Sequence, residues 1–258
     1  MSGAGQGAAM ALHFSAVCKR YRGRSVLDAL DIAVPAGSST AIVGLNGAGK
    51  STLLRCLLDF IRPDSGSIHI HGRPHTDLAA RAQLAWLPER FVPPAHLSAR
   101  ETLQWLAGLR GERLDKDAVA ACADRLGLAH SALARRVGEL SKGMTQKLGL
   151  MSIALAKRPV WVLDEPMSGL DPQARRDVAG LLDTARGEGR TVLFTSHGLR
   201  DLPALCDRIA VVHGGRVVFA GTPGELAVRH GAAQGGGGAT PDLESAFLDC
   251  LAAADASR

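Results

Sequence analysis

The segment GLNGAGKST, at residues 44–52, restricts the possible folds of this chain more than any other feature. It fits the phosphate-loop pattern G-x-x-x-x-G-K-[ST], follows the apolar run STAIV and opens the helical pattern KSTLLRCLLDF. A strand, such a loop and a helix place backbone N–H groups and a helix N-terminus around an anion. We therefore predict that the loop binds phosphate groups through Gly44, Asn46, Gly47, Ala48, Gly49, Lys50, Ser51 and Thr52.

Apolar runs elsewhere in the chain predict an α/β core around this loop. STAIV, QLAWLP, PVWVLD and TVLFTS are short and continuous, as parallel strands are when both of their faces are buried. The segments ALHFSAV, LDIAV and GSIHIHG alternate apolar with polar residues and predict half-buried strands. RIAVVHGGRVVFAG predicts a hairpin with its turn at Gly214 and Gly215. Between these strands, residues 95–140 show only helical patterns, which predicts a helical insertion into the α/β core.

The composition is that of a globular protein that works in a reducing compartment. Of 258 residues, 46% are apolar and 21% are charged. The net charge of +5 is dispersed, and the five cysteines have no C-x-x-C spacing, which indicates reduced thiols. No apolar run reaches membrane-spanning length and no signal peptide is recognisable, so the chain is expected to stay in the cytoplasm.

Two neighbouring carboxylates, Asp164 and Glu165, end the predicted strand VWVLDEP. Ligands of open α/β sheets bind at the carboxyl ends of strands, so we expect this pair beside the phosphate loop. Asp164 and the Ser51 hydroxyl would then reach a Mg²⁺ ion, while Glu165 would orient and polarise the attacking water. His197, after the strand TVLFTS, would contact the terminal phosphate from the same edge. The alternative is that one acid only caps the following turn.

A second segment with the character of an anion site is ELSKGMTQKLGL, at residues 139–150. Ser141 and Gly143 stand at the start of a predicted helix, and a helix N-terminus favours an anion. Ser141 acting only as a helix N-cap is the alternative.

Five motifs occur in a fixed order: the phosphate loop, LSKGM, VLDEP, SGLDP and TSH. Together they resemble the nucleotide-binding subunit of ABC transporters over about residues 10 to 230. The resemblance implies an α/β fold, with a P-loop NTPase core built on a mixed sheet, an N-terminal antiparallel β subdomain and an inserted α-helical subdomain. It also implies a head-to-tail dimer with two ATP molecules at its interface. Ser141 and Gly143 would then bind the γ-phosphate held by Lys50 of the partner subunit, with Lys50, Glu165 and His197 as catalytic residues.

Other positions match the family one at a time. Tyr21 stands where the family places an aromatic residue that stacks on adenine. Asp171 matches the loop that senses the opposite subunit, although Asp171 followed by Pro172 also predicts a helix cap. Gln146 and Lys147 match the polar pair that follows the signature.

The chain departs from the family pattern at three positions. Lys142 and Met144 replace a glycine and the glutamine of the usual signature, whereas Gly143 is kept. Glu89 stands where the family commonly has a glutamine that contacts Mg²⁺ and water. A carboxylate can still coordinate the ion, so the predicted Mg²⁺ ligands are Ser51, Glu89 and Asp164. These variants resemble bacterial export-type systems.

The resemblance implies an ATPase subunit that drives a separate integral membrane permease, as an exporter, from the cytoplasmic face of the inner membrane. The second subunit is expected to be identical, and no nucleic acid is expected as a partner. One alternative is a soluble ABC-type ATPase that regulates ribosome or nucleic-acid processes, and another is a small-molecule kinase. Phe91 and Val92, beside two prolines, are expected either to line a groove for the permease or to pack as a loop.

Three regions are predicted along the chain. Residues 10–231 form the ATPase domain, with its helical subdomain at about 95–155, and residues 232–241 form a flexible linker. Residues 242–258 form a C-terminal helix with Thr240 as its N-cap and Pro241 at its first position. Its predicted docking face consists of Leu243, Phe247, Leu248 and Leu251.

Overall fold

The computed structural model describes residues 9–231 and 242–256, which form two sheets and a set of helices. The strands are β1 (Met10–Tyr21), β2 (Arg24–Pro35), β3 (Ser39–Val43), β4 (Ser65–Ile70), β5 (Arg73–Pro74), β6 (Leu84–Leu87), β7 (Val160–Leu163), β8 (Thr191–Ser196), β9 (Arg208–His213) and β10 (Arg216–Gly221). The helices are α1 (Lys50–Leu57), α2 (Leu78–Arg81), α3 (Ala99–Leu109), α4 (Lys116–Arg125), α5 (Lys142–Ala154), α6 (Pro172–Gly187), α7 (Leu202–Leu205), α8 (Pro223–His230) and α9 (Leu243–Ala256).

The larger sheet places the central strand β3 between β8 and β9. Its strand order is β10-β9-β3-β8-β7-β6, and all neighbours are parallel except β9 and β10. The smaller sheet is antiparallel, with the order β2-β1-β4-β5. Because parallel strands end at the same edge, the segments that follow β3, β7 and β8 lie close together.

Strand β7 shows how the larger sheet is covered on both faces. Val160 and Val162 pack in the cluster that also contains α1 and the smaller sheet. Trp161 and Leu163 point to the other face and pack in the cluster with α5 and α6. The continuous apolar runs predicted to be buried on both faces are therefore buried in this way.

The predicted hairpin is formed by β9 and β10. Gly214 and Gly215 have φ values of 54° and 82°, and a type I′ turn requires positive φ at both of its central residues.

Helices and their connecting loops make up the chain between β6 and β7, with one isolated β-bridge between Ser98 and Arg136. Helix α3 begins with a capping box in which Ser98 and Glu101 satisfy each other's backbone N–H groups. Asp115 caps α4 and Ser141 caps α5 through their side-chain oxygens. The mixed sheet, the N-terminal antiparallel sheet and the helical insertion confirm the predicted fold class.

The C-terminal helix docks as predicted, but one residue of its predicted face is wrong. Ala246, Phe247, Cys250 and Leu251 are buried, whereas Leu248 is 60% exposed. The buried stripe has the spacing i, i+1, i+4, i+5, so Leu248 lies about 100° beyond Phe247 around the helix. Thr240, Pro241 and the predicted linker at 232–241 lie outside the described residues, and the helix itself begins at Leu243. None of the helices in residues 9–231 and 242–256 has the length and apolar character needed to cross a membrane.

Candidate functional site

A pocket of about 700 Å³ lies where β3, β7 and β8 end. Of the residues predicted from the sequence, it is lined by Asn46, Gly47, Ala48, Gly49, Lys50, Ser51, Thr52, Glu89, Glu165 and His197. We call it the nucleotide pocket.

Glycines let the phosphate loop pass close to its neighbours. A Cβ atom on Gly44 would lie 2.3 Å from the carbonyl oxygen of Val212, so Gly44 supports the loop from behind rather than lining the pocket. Gly49 has a φ of 109°, and a Cβ there would lie 2.7 Å from the carbonyl oxygen of Val26. No side chain caps the first turn of α1, and that turn contains no acid, so it suits a bound anion.

Lys50 is a buried cation that points into the loop. Its Nζ donates hydrogen bonds to the carbonyl oxygens of Gly44 at 2.6 Å and Leu45 at 3.4 Å. Burial lowers the pKa of Lys50, while the carboxylates of Glu165, Asp164 and Glu89 act in the opposite direction. Phosphate groups would add the negative charge that a partly desolvated ammonium favours.

The two carboxylates of VLDEP are held by different partners. Asp164 is buried, and its Oδ1 accepts a hydrogen bond from Thr195 Oγ1 at 2.6 Å. Glu165 Oε2 lies 2.8 Å from His197 Nδ1, and its Oε1 lies 3.9 Å from Lys50 Nζ. The Glu165 carboxylate is thus fixed between an imidazole and an ammonium group at the wall of the pocket.

Thr195 is a site residue that the sequence analysis missed. Its hydroxyl also accepts a hydrogen bond from the Glu165 N–H at 2.8 Å, so one side chain joins both acidic residues. Glu165 has a φ of 50°, a conformation that costs a side-chain-bearing residue about 1–2 kcal/mol. The sequence offered only a hydroxyl residue after the apolar stretch VLF of this strand, and the structure shows that Thr195 is fully buried.

Replacing Thr195 by valine is expected to lower the free energy of unfolding by about 2 kcal/mol. Valine fills the same volume but leaves the Asp164 carboxylate and the Glu165 N–H without their partner. Thr195→Ser keeps the hydroxyl and serves as the control. Urea denaturation of the nucleotide-free protein measures the difference, and equal stability of the valine and serine variants would contradict the assigned role.

A second pocket, of about 410 Å³, lies at the N-terminus of α5. We call it the α5 pocket; Ser141, Gly143, Met144, Gly169, Leu170 and Asp171 are among its lining residues. Ser141 Oγ accepts a hydrogen bond from the Met144 N–H at 3.2 Å, so Ser141 is a helix cap, as the alternative predicted. Asp171 likewise caps α6 at Ala174, and this backbone hydrogen bond lowers the pKa of the Asp171 carboxyl.

Most of the predicted site residues therefore fall into two groups within one chain, whereas Gly44 and Asp164 line neither of these two pockets. The α5 pocket and the nucleotide pocket share no lining residue. Tyr21 belongs to neither pocket: it ends β1, is 44% exposed, and its ring lies 5.6 Å from Lys19 Nζ. Gln146 donates to the carbonyl oxygen of Pro166 at 3.3 Å, and Lys147 pairs with Asp177 at 3.5 Å.

One strand and one turn contribute pocket residues that the motifs did not reveal. Arg24, Ser25 and Val26 line the nucleotide pocket from the start of β2, and Gly214 and Gly215 line it from the β9–β10 turn. Their only sequence signal was the predicted turn at 214–215.

A phosphate loop between a central parallel strand and a helix, with a carboxylate pair after a parallel strand two places along the same sheet, defines a P-loop nucleoside triphosphatase. The family model described as "ABC transporter" matches residues 27–168, more than half of the chain. The chain belongs to this family and is an ATP-binding ATPase, as the resemblance implied.

Known proteins of the family are similar over most of this chain. An uncharacterised ABC transporter ATP-binding protein of Synechocystis is 36% identical over 203 residues, which is 78% of this chain but only 57% of that relative. The Nod factor export ATP-binding protein I of Rhizobium etli is 34% identical over 84% of this chain and 69% of its own length. A solved ATP-binding subunit of an ABC transporter superposes with a TM-score of 0.81 at 28% identity, covering 93% of this chain and 98% of that one.

Proposed function

We propose that two copies of this chain pair head-to-tail, bind two ATP molecules between them and drive a separate membrane permease, as an exporter. The observation that carries the dimer is that one chain presents two separate pockets, each with only part of the expected machinery. In a two-fold dimer, the α5 pocket of each copy would face the nucleotide pocket of the other.

Gly143 supports a ligand from outside the chain. Among the described residues, a Cβ atom added there would meet nothing closer than Leu170 Cδ2 at 4.0 Å, so their packing does not require glycine at this position. Glycine in a helix is also about 0.5–1 kcal/mol less favourable than alanine. Gly143 also lines the α5 pocket at the start of the helix, where a residue without a side chain would let a phosphate group approach closely.

Replacing Gly143 by alanine is expected to raise stability and lower turnover. The free energy of unfolding of the nucleotide-free protein should rise by about 0.5 kcal/mol. Steady-state ATP turnover should fall about tenfold, the cost of one lost charge-assisted hydrogen bond.

The matched control is Gly180→Ala on α6, where an added Cβ also meets nothing within 4 Å. This variant should gain stability and keep full turnover. Unchanged turnover in Gly143→Ala would argue against a ligand at the start of α5.

The residues of the nucleotide pocket fit a Mg²⁺ ion. Ser51 and Glu89 line the pocket, and the charges of Asp164 and Glu89 both act on Lys50. These hard oxygen donors would hold the ion together with phosphate oxygens, because Mg²⁺ is commonly bound by one or two carboxylates plus substrate phosphates. The bound ion would neutralise charge on the phosphate groups.

The remaining residues divide the work of hydrolysis. The phosphate loop and Lys50 bind and orient the phosphates, and Glu165 orients the attacking water and withdraws its proton. His197, hydrogen-bonded to Glu165, contacts the terminal phosphate. Tyr21 stacks on the adenine base, and Asp171 contacts the opposite subunit.

Export and the permease are supported by an exposed apolar surface and by a relative's name. Trp105 and Leu109, four residues apart on α3, are 46% and 68% exposed. Phe91 packs as part of a loop against the core at Gly149, whereas Val92 is 84% exposed. The similarity to a Nod factor export ATP-binding protein favours export. The proposed place of action is the cytoplasmic face of the inner membrane.

The test of this function coexpresses the chain with a multi-span membrane protein encoded beside it, which serves as the permease. Wild-type protein should sediment with membranes that contain the permease. The Leu109→Glu variant should stay in the supernatant, whereas the Lys116→Glu variant should sediment like wild type. Equal binding of the wild-type protein to membranes that lack the permease would contradict the proposal. Salt-sensitive binding to RNA or DNA instead would favour the regulatory alternative.

A further inference from the structure

The Lys142 side chain lies along the glycine of a neighbouring loop. Lys142 is the first residue of α5, directly after the Ser141 cap. A Cβ atom built on Gly169 would lie 3.1 Å from Lys142 Cε, 3.2 Å from its Nζ and 3.4 Å from its Cδ. The aliphatic stem of Lys142 therefore covers Gly169, a contact that a glycine at position 142 could not make.

Helix stability does not explain a lysine at this position. A cation in the first turn opposes the helix macrodipole, and the first turn of α5 contains no acid. Within the described parts of the chain, the Lys142 ammonium makes no hydrogen bond or ion pair. Lys147, five residues further along α5, differs because it forms an ion pair with Asp177.

The loop that Lys142 covers, residues 168–171, is shared by the two pockets. Ser168 lines the nucleotide pocket together with Glu165, and Asp171 lines the α5 pocket. The loop's backbone bonds include Ser168 N–H to the Glu165 carbonyl at 3.0 Å and Leu170 N–H to the Met167 carbonyl at 3.4 Å. At its far end, Arg175 donates to the Asp171 carbonyl from its N–H at 3.0 Å and to the Leu170 carbonyl from its Nε at 3.2 Å. Gly169 has no side chain with which to anchor the loop.

We propose that Lys142 is a positioning residue for ATP hydrolysis, whose aliphatic stem holds the 168–171 loop against α5. Through this contact Ser168 keeps its place in the nucleotide pocket, and so does Glu165, whose carbonyl oxygen accepts a hydrogen bond from the Ser168 N–H. Long basic side chains commonly cover neighbouring surface with their stems while the charged end stays in water. The proposal deepens the proposed function and rests on the ATPase reaction.

The test separates the stem of Lys142 from its charge. Lys142→Met keeps a long aliphatic side chain, whereas Lys142→Ala removes it. We expect Lys142→Ala to lower kcat about tenfold with the KM for ATP within about twofold, because a displaced loop affects positioning more than nucleotide binding. Lys142→Met should keep kcat within about twofold, since its stem still covers Gly169. Lys116→Ala, which removes an exposed lysine from the first position of α4, is the matched control and should change neither parameter.

Hydrogen exchange of the amides at 168–170 gives a second readout that does not need turnover. Exchange should be faster in Lys142→Ala than in wild type and unchanged in Lys142→Met. Equal exchange rates and equal kcat in all three proteins would overturn the proposal. A fall in kcat in Lys142→Met as large as that in Lys142→Ala would overturn it too. Wild-type protein that binds ATP without hydrolysing it would contradict the ATPase function, whereas the exchange comparison would still decide the role of the Lys142 stem.

Discussion

Replacing Glu165 by glutamine is expected to lower ATP turnover about 10³-fold, within the range that a general base contributes. Glutamine keeps the size and the hydrogen-bonding reach toward His197, but it cannot accept a proton from water. Glu165 Oε1 lies 3.9 Å from Lys50 Nζ, so the negative charge of Glu165 lies close to where the phosphates would bind and repels them. Because glutamine lacks this charge, ATP affinity should stay the same or rise. Steady-state kinetics and equilibrium binding of a fluorescent ATP analogue measure the two effects.

Glu188→Gln is the control for Glu165→Gln. Glu188 pairs with Arg190 at 3.3 Å and does not line the nucleotide pocket, so its replacement should leave turnover unchanged. If Glu165→Gln hydrolysed ATP at the wild-type rate, Glu165 could not be the residue that activates water.

Replacing Lys50 by alanine is expected to weaken ATP binding about 100-fold, which corresponds to about 2.7 kcal/mol of lost charge-assisted hydrogen bonding. The free energy of unfolding of the nucleotide-free protein should not fall with it. Lys50 is buried, and burial lowers its pKa, so the Gly44 and Leu45 carbonyls and the Glu165 carboxylate compensate the desolvation of the cation only in part. Removing that cation eliminates its desolvation cost at the same time as its hydrogen bonds.

Calorimetric titration with ATP measures the affinity of Lys50→Ala, and urea denaturation measures the free energy of unfolding of the same variant. Lys157→Ala, at an exposed lysine outside both pockets, is the control and should change neither quantity. ATP affinity within about threefold of wild type in Lys50→Ala would contradict the phosphate-loop assignment.

The fold could be predicted because its signals are local. STAIV, VWVL and TVLFTS are buried on both faces of one sheet, and this burial produces the continuous apolar runs that the prediction used. The phosphate loop carries its strand and helix on either side of the motif. Leu248 was wrongly predicted to be buried because the prediction considered only large apolar side chains. The buried face of this helix also contains small residues, such as Ala246 and Cys250.

The parts of the site that could not be predicted depend on tertiary contacts. Thr195 joins Asp164 and Glu165 from a different strand, and no spacing in the sequence reveals that contact. Val26 and Gly215 reach the nucleotide pocket because β2 and the β9–β10 turn meet there. The role of Tyr21 stays a prediction that rests on the family resemblance.

The most direct test of a shared active site mixes two inactive variants. Lys50→Ala damages the nucleotide pocket, and Gly143→Arg blocks the α5 pocket. In a head-to-tail dimer, a mixed pair contains one site built from two intact halves, so an equal mixture should recover roughly a quarter of wild-type turnover. No recovery above the sum of the two separate variants, with mixed dimers shown to form, would contradict the claim that each site is built from two chains.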